Sequence, residues 1–389
     1  MNKPITTKSS SILIVDDVPK NIQVVASFLK SEGYKLAFAQ NGKNALTQAQ
    51  TQNIDLILLD IMMPEMDGFE VCSHLKASEK TKDIPVIFLT GKVETESVVQ
   101  GFTTGAVDYV TKPFNREELL ARVKTHLELK HSREEIQSLY EELDTELNLA
   151  AGIQNTVMRD LTNVSFLSTT WIFKPYGKVS GDIIDFSTGG EHEQRIFIGD
   201  ATGHGIPAAF ITMMVPFVIG STTETNTTNE TVTIMNEALA QRHIEDKFIT
   251  GIYTKIFSDG KVLTCNAGHP PFMVIPANGS PVFPFKERGG LPMGMFTSDL
   301  IPPYEEKACQ LSPGDKVIFY TDGIVEWSNS QQKIFGIPAL QTFLEENRGL
   351  AIKELLNKLL VTVETFSEGN PCDDDITIIG SQYLGNQTT

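Results

Sequence analysis

Cysteine is scarce in this chain, and positive charge is in short supply. The four cysteines, Cys72, Cys265, Cys309 and Cys372, lie far apart and form no CxxC pair. That spacing argues against a disulfide framework or a zinc knuckle, and a reducing compartment is the default. Lys and Arg number 32 against 49 Asp and Glu, a formal net charge of −17. Phosphate-backbone binding needs basic side chains to displace counterions, and no basic recognition helix is present, so nucleic acid is excluded as a partner. Long apolar runs are also missing. The longest, Ile206 to Ile219, has 14 residues with Pro207 and Pro216 inside it, too short to span a bilayer. Residues 1–11 are polar and lack the apolar core of a signal peptide. A cytoplasmic protein with no membrane partner is the expectation.

What is present is ordinary globular material. At about 150 residues per domain, a chain of 389 residues suggests two domains, with room for a linker. Hydrophobic residues make up 41%, which is normal globular usage. Charge is uneven: residues 1–159 carry 17 basic and 22 acidic side chains (−5), and residues 160–389 carry 15 and 27 (−12).

The first 125 residues alternate apolar runs with helical patterns. Ile12–Val15, Leu56–Leu59 and Val86–Leu89 are unbroken runs, as expected for strands buried on both faces of a parallel sheet. Helix-like segments near 19–31, 42–51 and 68–77 intervene, which predicts a doubly wound α/β domain. Its ligand site belongs at the C-terminal ends of the strands. From about Asn115 to Val157 turn residues are nearly absent. With Leu129 as heptad position a, Ile136, Leu143, Ala150 and Val157 follow at a, and Ser132, Leu139, Glu146 and Ile153 fall at d. That pattern fits a striped helix, either packed on its own domain or paired in a short dimeric coiled coil. Residues 160–389 show many strand-like segments, hairpin signals such as Ser258-Asp259-Gly260, and a few grouped helices. An α+β fold of two sheets flanked by helices is expected, with a surface loop over 221–231.

Carboxylates follow the apolar runs of the first domain: Asp16 and Asp17 after the first, Asp60 after the second. Thr90 ends the third, and Lys112 follows Tyr109-Val110-Thr111. In a parallel sheet these positions share one edge. Any one of them could be a solvated loop residue, but together they suit one chemistry. Three acids can hold Mg²⁺, Asp60 can act as a nucleophile toward a phosphoryl group, and Lys112 and Thr90 can neutralise its oxygens. The segments ILIVDD (12–17), LLDIMMPEMDG (58–68), Thr90 and DYVTKPF (108–114) resemble the receiver domains of two-component response regulators, over residues 10–127. The resemblance implies a flavodoxin-like fold and phosphorylation of Asp60 by a sensor histidine kinase. It further implies Mg²⁺ on Asp16, Asp17 and Asp60, a switch pair Thr90 and Tyr109, phosphate contact by Lys112, and a cis Lys112–Pro113 peptide.

In the second domain Asp182, Asp200, Asp322 and the run Asp373-Asp374-Asp375 sit at strand ends, several beside Gly. A plain β-turn explains many Asp-Gly pairs. Oxygen ligands without a His or Cys set disfavour zinc and suit Mg²⁺ or Mn²⁺. Two such ions could generate a hydroxide for displacement at phosphorus. The segments VSGDIIDF (179–186), IFIGDATGHGIPAAF (196–210), NAGHPPFMV (266–274), GGLPMGMF (289–296), IFYTDGIVE (318–326) and DDDIT (373–377) resemble the metal-dependent type 2C (PPM-type) protein serine/threonine phosphatases. The similarity is to the bacterial branch around the stage-two sporulation phosphatase E, over 160–385, with LAAGIQNTVM (149–158) resembling the helix that precedes the domain there. Residues 128–159 would then be a helical linker. The resemblance implies Asp182, Asp200, Asp322 and Asp374 as ligands of two Mn²⁺ or Mg²⁺, joined by the carbonyl of Ala201. Asp375 follows the last ligand, and His204 is either a candidate proton donor to the leaving serine oxygen or a residue that packs its turn. Asn266 and His269 are read as shaping a hairpin. No Arg matches the one with which eukaryotic members grip phosphate.

The combined expectation is a response regulator whose receiver controls a phosphatase acting on a phosphoserine or phosphothreonine protein, such as an anti-sigma-factor antagonist. A homodimer through the linker helix is a further expectation. The alternative is a catalytically inactive adaptor that binds a sigma or anti-sigma factor.

Overall fold

The computed structural model describes residues 10–91, 101–157, 164–203, 205–223, 225–242, 247–285 and 289–386. The chain divides into two compact units between Glu142 and Leu143.

In the first unit, strands β1 (Ser11–Val15), β2 (Lys35–Ala39), β3 (Leu56–Asp60), β4 (Val86–Thr90) and β5 (Asp108–Thr111) form a parallel sheet in the order β2-β1-β3-β4-β5. The unbroken apolar runs follow from the alternation of side chains across a strand. Leu13, Val15, Ile57, Leu59, Val86 and Phe88 face helices α2 (Gly42–Thr51) and α3 (Gly68–Ala77). Ile12, Ile14, Leu56, Leu58, Ile87 and Leu89 face α1 (Pro19–Lys30) and the first turns of α4 (Arg116–Val157). Helix α3 opens with a capping box of Asp67 and Glu70, which satisfies two otherwise orphaned N–H groups. The Lys112–Pro113 peptide is cis.

Helix α4 runs 42 residues without a break. Leu119, Val123 and Leu127 pack in the first unit, and Lys130 reaches Asp55 at 2.8 Å. From Leu143 onward the helix is part of the second unit.

The second unit is a sandwich of two antiparallel sheets. One has the order β13 (Lys307–Gln310), β10 (Lys261–Ala267), β9 (Ile249–Phe257), β8 (Glu193–Ala201), β7 (Asp182–Thr188). The other is β12 (Phe283–Pro284), β11 (Met273–Ile275), β14 (Lys316–Tyr320), β15 (Ile376–Tyr383), β6 (Leu167–Lys174). Ile184, Phe186, Ile196 and Ile198 of the first sheet meet Val317, Phe319 and Ile379 of the second, and Phe272 just ahead of β11, in a shared core. Side chains one residue out of step point outward. Ile183, Phe197 and Tyr253 pack against α5 (Ile206–Ser221) and α6 (Thr228–Ala240). Ile318, Tyr320 and Ile378 pack against α8 (Gly336–Glu346) and α9 (Ile352–Phe366). The short α7 (Asp322–Glu326) follows β14 directly. One expectation needs correction. The Thr- and Asn-rich stretch 221–231 is not all loop, because Thr227 and Glu230 form a capping box that starts α6 at Thr228.

Candidate functional site

Two carboxylate sites emerge, one in each unit. In the first, parallel strands deliver their C-terminal ends to one edge. Asp16 is fully buried just past β1, and Asp60 ends β3 at 4% exposure. Ligand oxygens of Asp16, Asp17 and Asp60 all lie within 4.8 Å of one another, the one such group of three or more potential metal ligands among the described residues. Lys112 Nζ lies 2.7 Å from Asp16 Oδ2 and 2.9 Å from Asp60 Oδ1. Burial raises the Asp60 carboxyl above its usual range and the Asp16 charge adds to this, while Lys112 opposes. Burial alone would lower Lys112, but its bonds to the two acids outweigh that and raise it. Thr90 ends β4, next to β5 with Tyr109, and the Tyr109 ring packs against Phe102 at 6.4 Å and the Arg122 guanidinium at 5.7 Å.

Sequence reasoning missed Asn21, which donates to both Asp16 carboxylate oxygens at 3.0 Å from the first turn of α1. Nothing in its local sequence marks it. Gly68 has a steric role: a Cβ there would meet the Asp60 carbonyl oxygen at 2.3 Å. Any side chain at 68 would push α3 off the strand that carries Asp60.

In the second unit, acids from both sheets meet. Asp182 opens β7 and pairs in register with Asp200 near the end of β8. Asp322 opens α7, and Asp374 lies just ahead of β15. Asp182 is fully buried, and burial together with the Asp200 charge pushes its carboxyl well up, against hydroxyl bonds from Thr377 and Thr321. Asp200 is pushed up to about 8 by burial and then by Asp322, Asp374, Asp375 and Glu326. Asp322 is raised by burial and Glu326, and Asp374 by burial with Asp322, Asp375 and Asp373 adding. Such mutual repulsion means these carboxylates share one small region. Their oxygens spread wider than the trio of the first unit, since no three of them meet the 4.8 Å measure. An all-oxygen set held together against its own repulsion fits divalent hard cations.

Neighbouring groups sort by their bonds. Asp375 accepts from the backbone N–H of Tyr176 and of Gly181, both at 2.7 Å. Its carboxylate is thereby committed to holding the 176–181 loop ahead of Asp182. Glu326, four residues after Asp322, lies on the same side of α7 and was not singled out from sequence. Gly323, next to Asp322, has a packing role rather than a purely local turn role. It lets α7 approach the chain, since a Cβ there would sit 2.1 Å from the Asp375 carbonyl oxygen.

Asn266 and His269 close a turn on each other: Asn266 donates to the His269 carbonyl and accepts from its N–H, both at 2.9 Å. The His269 ring is buried, which pushes it down to about 4. Its Nε2 lies 3.1 Å from the Tyr320 carbonyl, which can only accept, so Nε2 carries the proton and Nδ1 accepts from Thr250 Oγ1. A neutral, fully engaged ring is a packing element. His204 and the end of the 149–158 motif lie outside the described residues. An open cleft of about 290 Å³ borders Asp374, lined also by Lys174, Tyr176, Trp327 and Cys372.

A pH signature follows. The folded pKa of Asp200, about 8, lies above the ordinary 3.8. Between those values the folded state keeps a proton that the unfolded chain has lost, so stability falls as pH rises through that window. The metal-free protein is expected to melt lower at about pH 8.5 than at about pH 5.5, with Mn²⁺ restoring more at the higher pH. Scanning calorimetry with chelator or Mn²⁺ checks this. A metal-free melting temperature that stays flat would count against the shared acid site.

The response regulator receiver domain model matches residues 12–124, and the stage II sporulation protein E (SpoIIE) model matches residues 190–383. A probable cyclic di-GMP phosphodiesterase of Vibrio cholerae is 45% identical over 142 residues, 36% of this chain and 32% of that protein. A DNA-binding dual master transcriptional regulator of Synechocystis is 45% identical over 116 residues, 30% of this chain and 48% of that protein. The chain thus spans a third to a half of the length of these curated relatives. The SiaA PP2C domain of Pseudomonas aeruginosa shares the fold, with TM-score 0.55 at 18% identity, covering 63% of this chain and 98% of that one. The chain thus joins a response regulator receiver domain, residues 12–124, to a SpoIIE domain, residues 190–383.

Proposed function

We propose that this protein is a two-component response regulator in which phosphorylation of Asp60 controls a metal-dependent protein serine/threonine phosphatase. The receiver would occupy 10–127, the helical linker 128–159 and the phosphatase 160–385, in the cytoplasm. The observation that carries the reading is the gathering of Asp182, Asp200, Asp322 and Asp374 from two sheets into one mutually repelling set.

In the receiver, Asp60 attacks the phosphoryl group of a sensor kinase's phosphohistidine. The Asp60 Oδ–P bond forms and the P–N bond breaks. Lys112, already bonded to Asp16 and Asp60, neutralises the transferred oxygens, and Asp16, Asp17 and Asp60 would hold a Mg²⁺ that screens the same charge. Thr90 and Tyr109 report the phosphoryl group toward the sheet face they share.

In the phosphatase, Asp182, Asp200, Asp322, Asp374 and the Ala201 carbonyl would hold two Mn²⁺ or Mg²⁺, which supply a hydroxide at neutral pH. Hydrolysis breaks the P–O bond to serine or threonine, and the leaving oxygen takes a proton, for which His204 is the candidate donor. The substrate is a phosphorylated anti-sigma-factor antagonist or a protein like it.

Helix α4 is the relay. Near its end Gln154 is buried, donating to the Ser180 carbonyl at 2.7 Å and accepting from the Ser180 N–H at 3.0 Å. Lys178 bonds Asp144 and Asn148 of the same helix at 3.2 and 3.1 Å. These bonds grip the loop two residues before Asp182. The apolar stripe Leu129, Ile136, Leu139, Leu143 and Ile153 is exposed, and its heptad spacing suits a second copy of the chain.

Three outcomes are expected. Asp200→Asn abolishes Mn²⁺-dependent release of phosphate from a phosphoserine protein while circular dichroism stays that of the parent. Activity that survives in this variant removes Asp200 from the site, and a folded parent that binds a sigma or anti-sigma factor without turnover points to the adaptor instead. Beryllium fluoride on Asp60 changes the phosphatase rate by about 5-fold or more, and Gln154→Ala flattens that response. An unchanged response in Gln154→Ala would dismiss the relay. Light scattering gives a dimer for the parent and a monomer for Ile136→Asp/Leu143→Asp; a monomeric parent would dismiss pairing through α4.

A further inference from the structure

Two threonines that no motif role accounts for converge on one oxygen of Asp182. Thr321 Oγ1 donates to Asp182 Oδ2 at 2.8 Å, and Thr377 Oγ1 donates to the same oxygen at 2.6 Å. Both threonines are fully buried, as is Asp182 at 1% exposure. Thr321 lies between β14 and α7, and Thr377 is the second residue of β15, so both come from one sheet while Asp182 belongs to the other. The pair is itself locked: the Thr377 N–H donates to Thr321 Oγ1 at 3.0 Å, and the Thr321 N–H donates to the Thr377 carbonyl at 3.0 Å.

The use of Thr321 is unusual for its position. It is the N-cap residue of α7, with extended backbone angles, yet its side chain caps no N–H of that helix. An N-cap threonine normally accepts from an N–H of the first turn. Here the hydroxyl is turned across the sandwich to a carboxylate. A single hydroxyl proton serves one acceptor, and both hydroxyls spend theirs on Oδ2. Among the described residues Oδ1 makes no hydrogen bond, so the carboxylate is fixed through one oxygen and open at the other.

We propose that Thr321 and Thr377 are positioning residues for the cation site: by clamping Asp182 Oδ2 from the opposite sheet they orient Oδ1 as the ligand atom. This rests on reading Asp182 as a ligand. Partners that orient a ligating carboxylate in this way change metal affinity by about 10- to 100-fold when removed.

The test is Mn²⁺ titration calorimetry on the full chain in an Asp17→Asn background, which removes the receiver's cation site. Thr377→Val keeps the side-chain shape and deletes the hydroxyl, and is expected to weaken Mn²⁺ binding about 10-fold or more. Thr377→Ser restores the hydroxyl and is expected to bind close to the parent. Thr321→Val and Thr321→Ser repeat the comparison if Thr377→Val does not fold. Parent-like Mn²⁺ affinity in the valine variants, or serine variants as weak as valine, overturns the positioning role and leaves the phosphatase reading intact. A background protein that takes up no Mn²⁺ overturns both. A parent that binds Mn²⁺, loses it in the valine variants and hydrolyses no phosphoserine supports the clamp and removes only the enzymatic reading.

Discussion

Burying several carboxylates within reach of one another is costly, and much of this structure is arranged to bear that cost. A lone buried charge disfavours folding unless it is paired, hydrogen-bonded or neutralised. The two units meet the requirement differently. In the receiver the compensation is internal, because Lys112 lies between Asp16 and Asp60 and Asn21 completes the bonding of Asp16. In the second unit no cation bonds the four acids among the described residues, and their carboxyls rise instead, Asp200 to about 8. The receiver site therefore carries its own cationic partner, whereas the second site gathers its acids with none among the described residues.

The sandwich supplies the geometry for that second set. Asp182 and Asp200 come from neighbouring strands of one sheet, and Asp322 and Asp374 from segments flanking strands of the other. Their approach depends on backbone packing as well as on side chains. Gly323 lets α7 lie against Asp375, whose carboxylate holds the loop ahead of Asp182. His269, fixed between Thr250 and the Tyr320 carbonyl, ties β9 to the end of β14. Each of these contacts crosses between segments distant in sequence, so the site and the packing of the two sheets are one structural problem.

Helix α4 belongs to both units. Its first turns complete a receiver face through Leu119, Val123 and Leu127, and its last turns bind the loop before Asp182 through Gln154.

Much of this was legible in the sequence, for physical reasons. Strands buried on both faces must be apolar at every position, so the receiver sheet is visible as Ile12–Val15, Leu56–Leu59 and Val86–Leu89, and parallel pairing then sends Asp16, Asp60, Thr90 and Lys112 to one edge. The acids of the second unit could be picked out because each sits beside a strand end, and Asp182, Asp200 and Asp322 beside a glycine as well. Other features could not be read along the chain. Asn21, Thr321 and Thr377 have ordinary local patterns, and Thr321 even looks like a routine helix cap. Their roles come from a partner 5 residues away across a turn in one case, and 139 and 195 residues away across the sandwich in the others. Local periodicity determined the elements and the order of the acids. Only tertiary packing decided which polar side chains cross between sheets to hold those acids, because hydrogen-bond partnership depends on distance in space and carries no period in sequence.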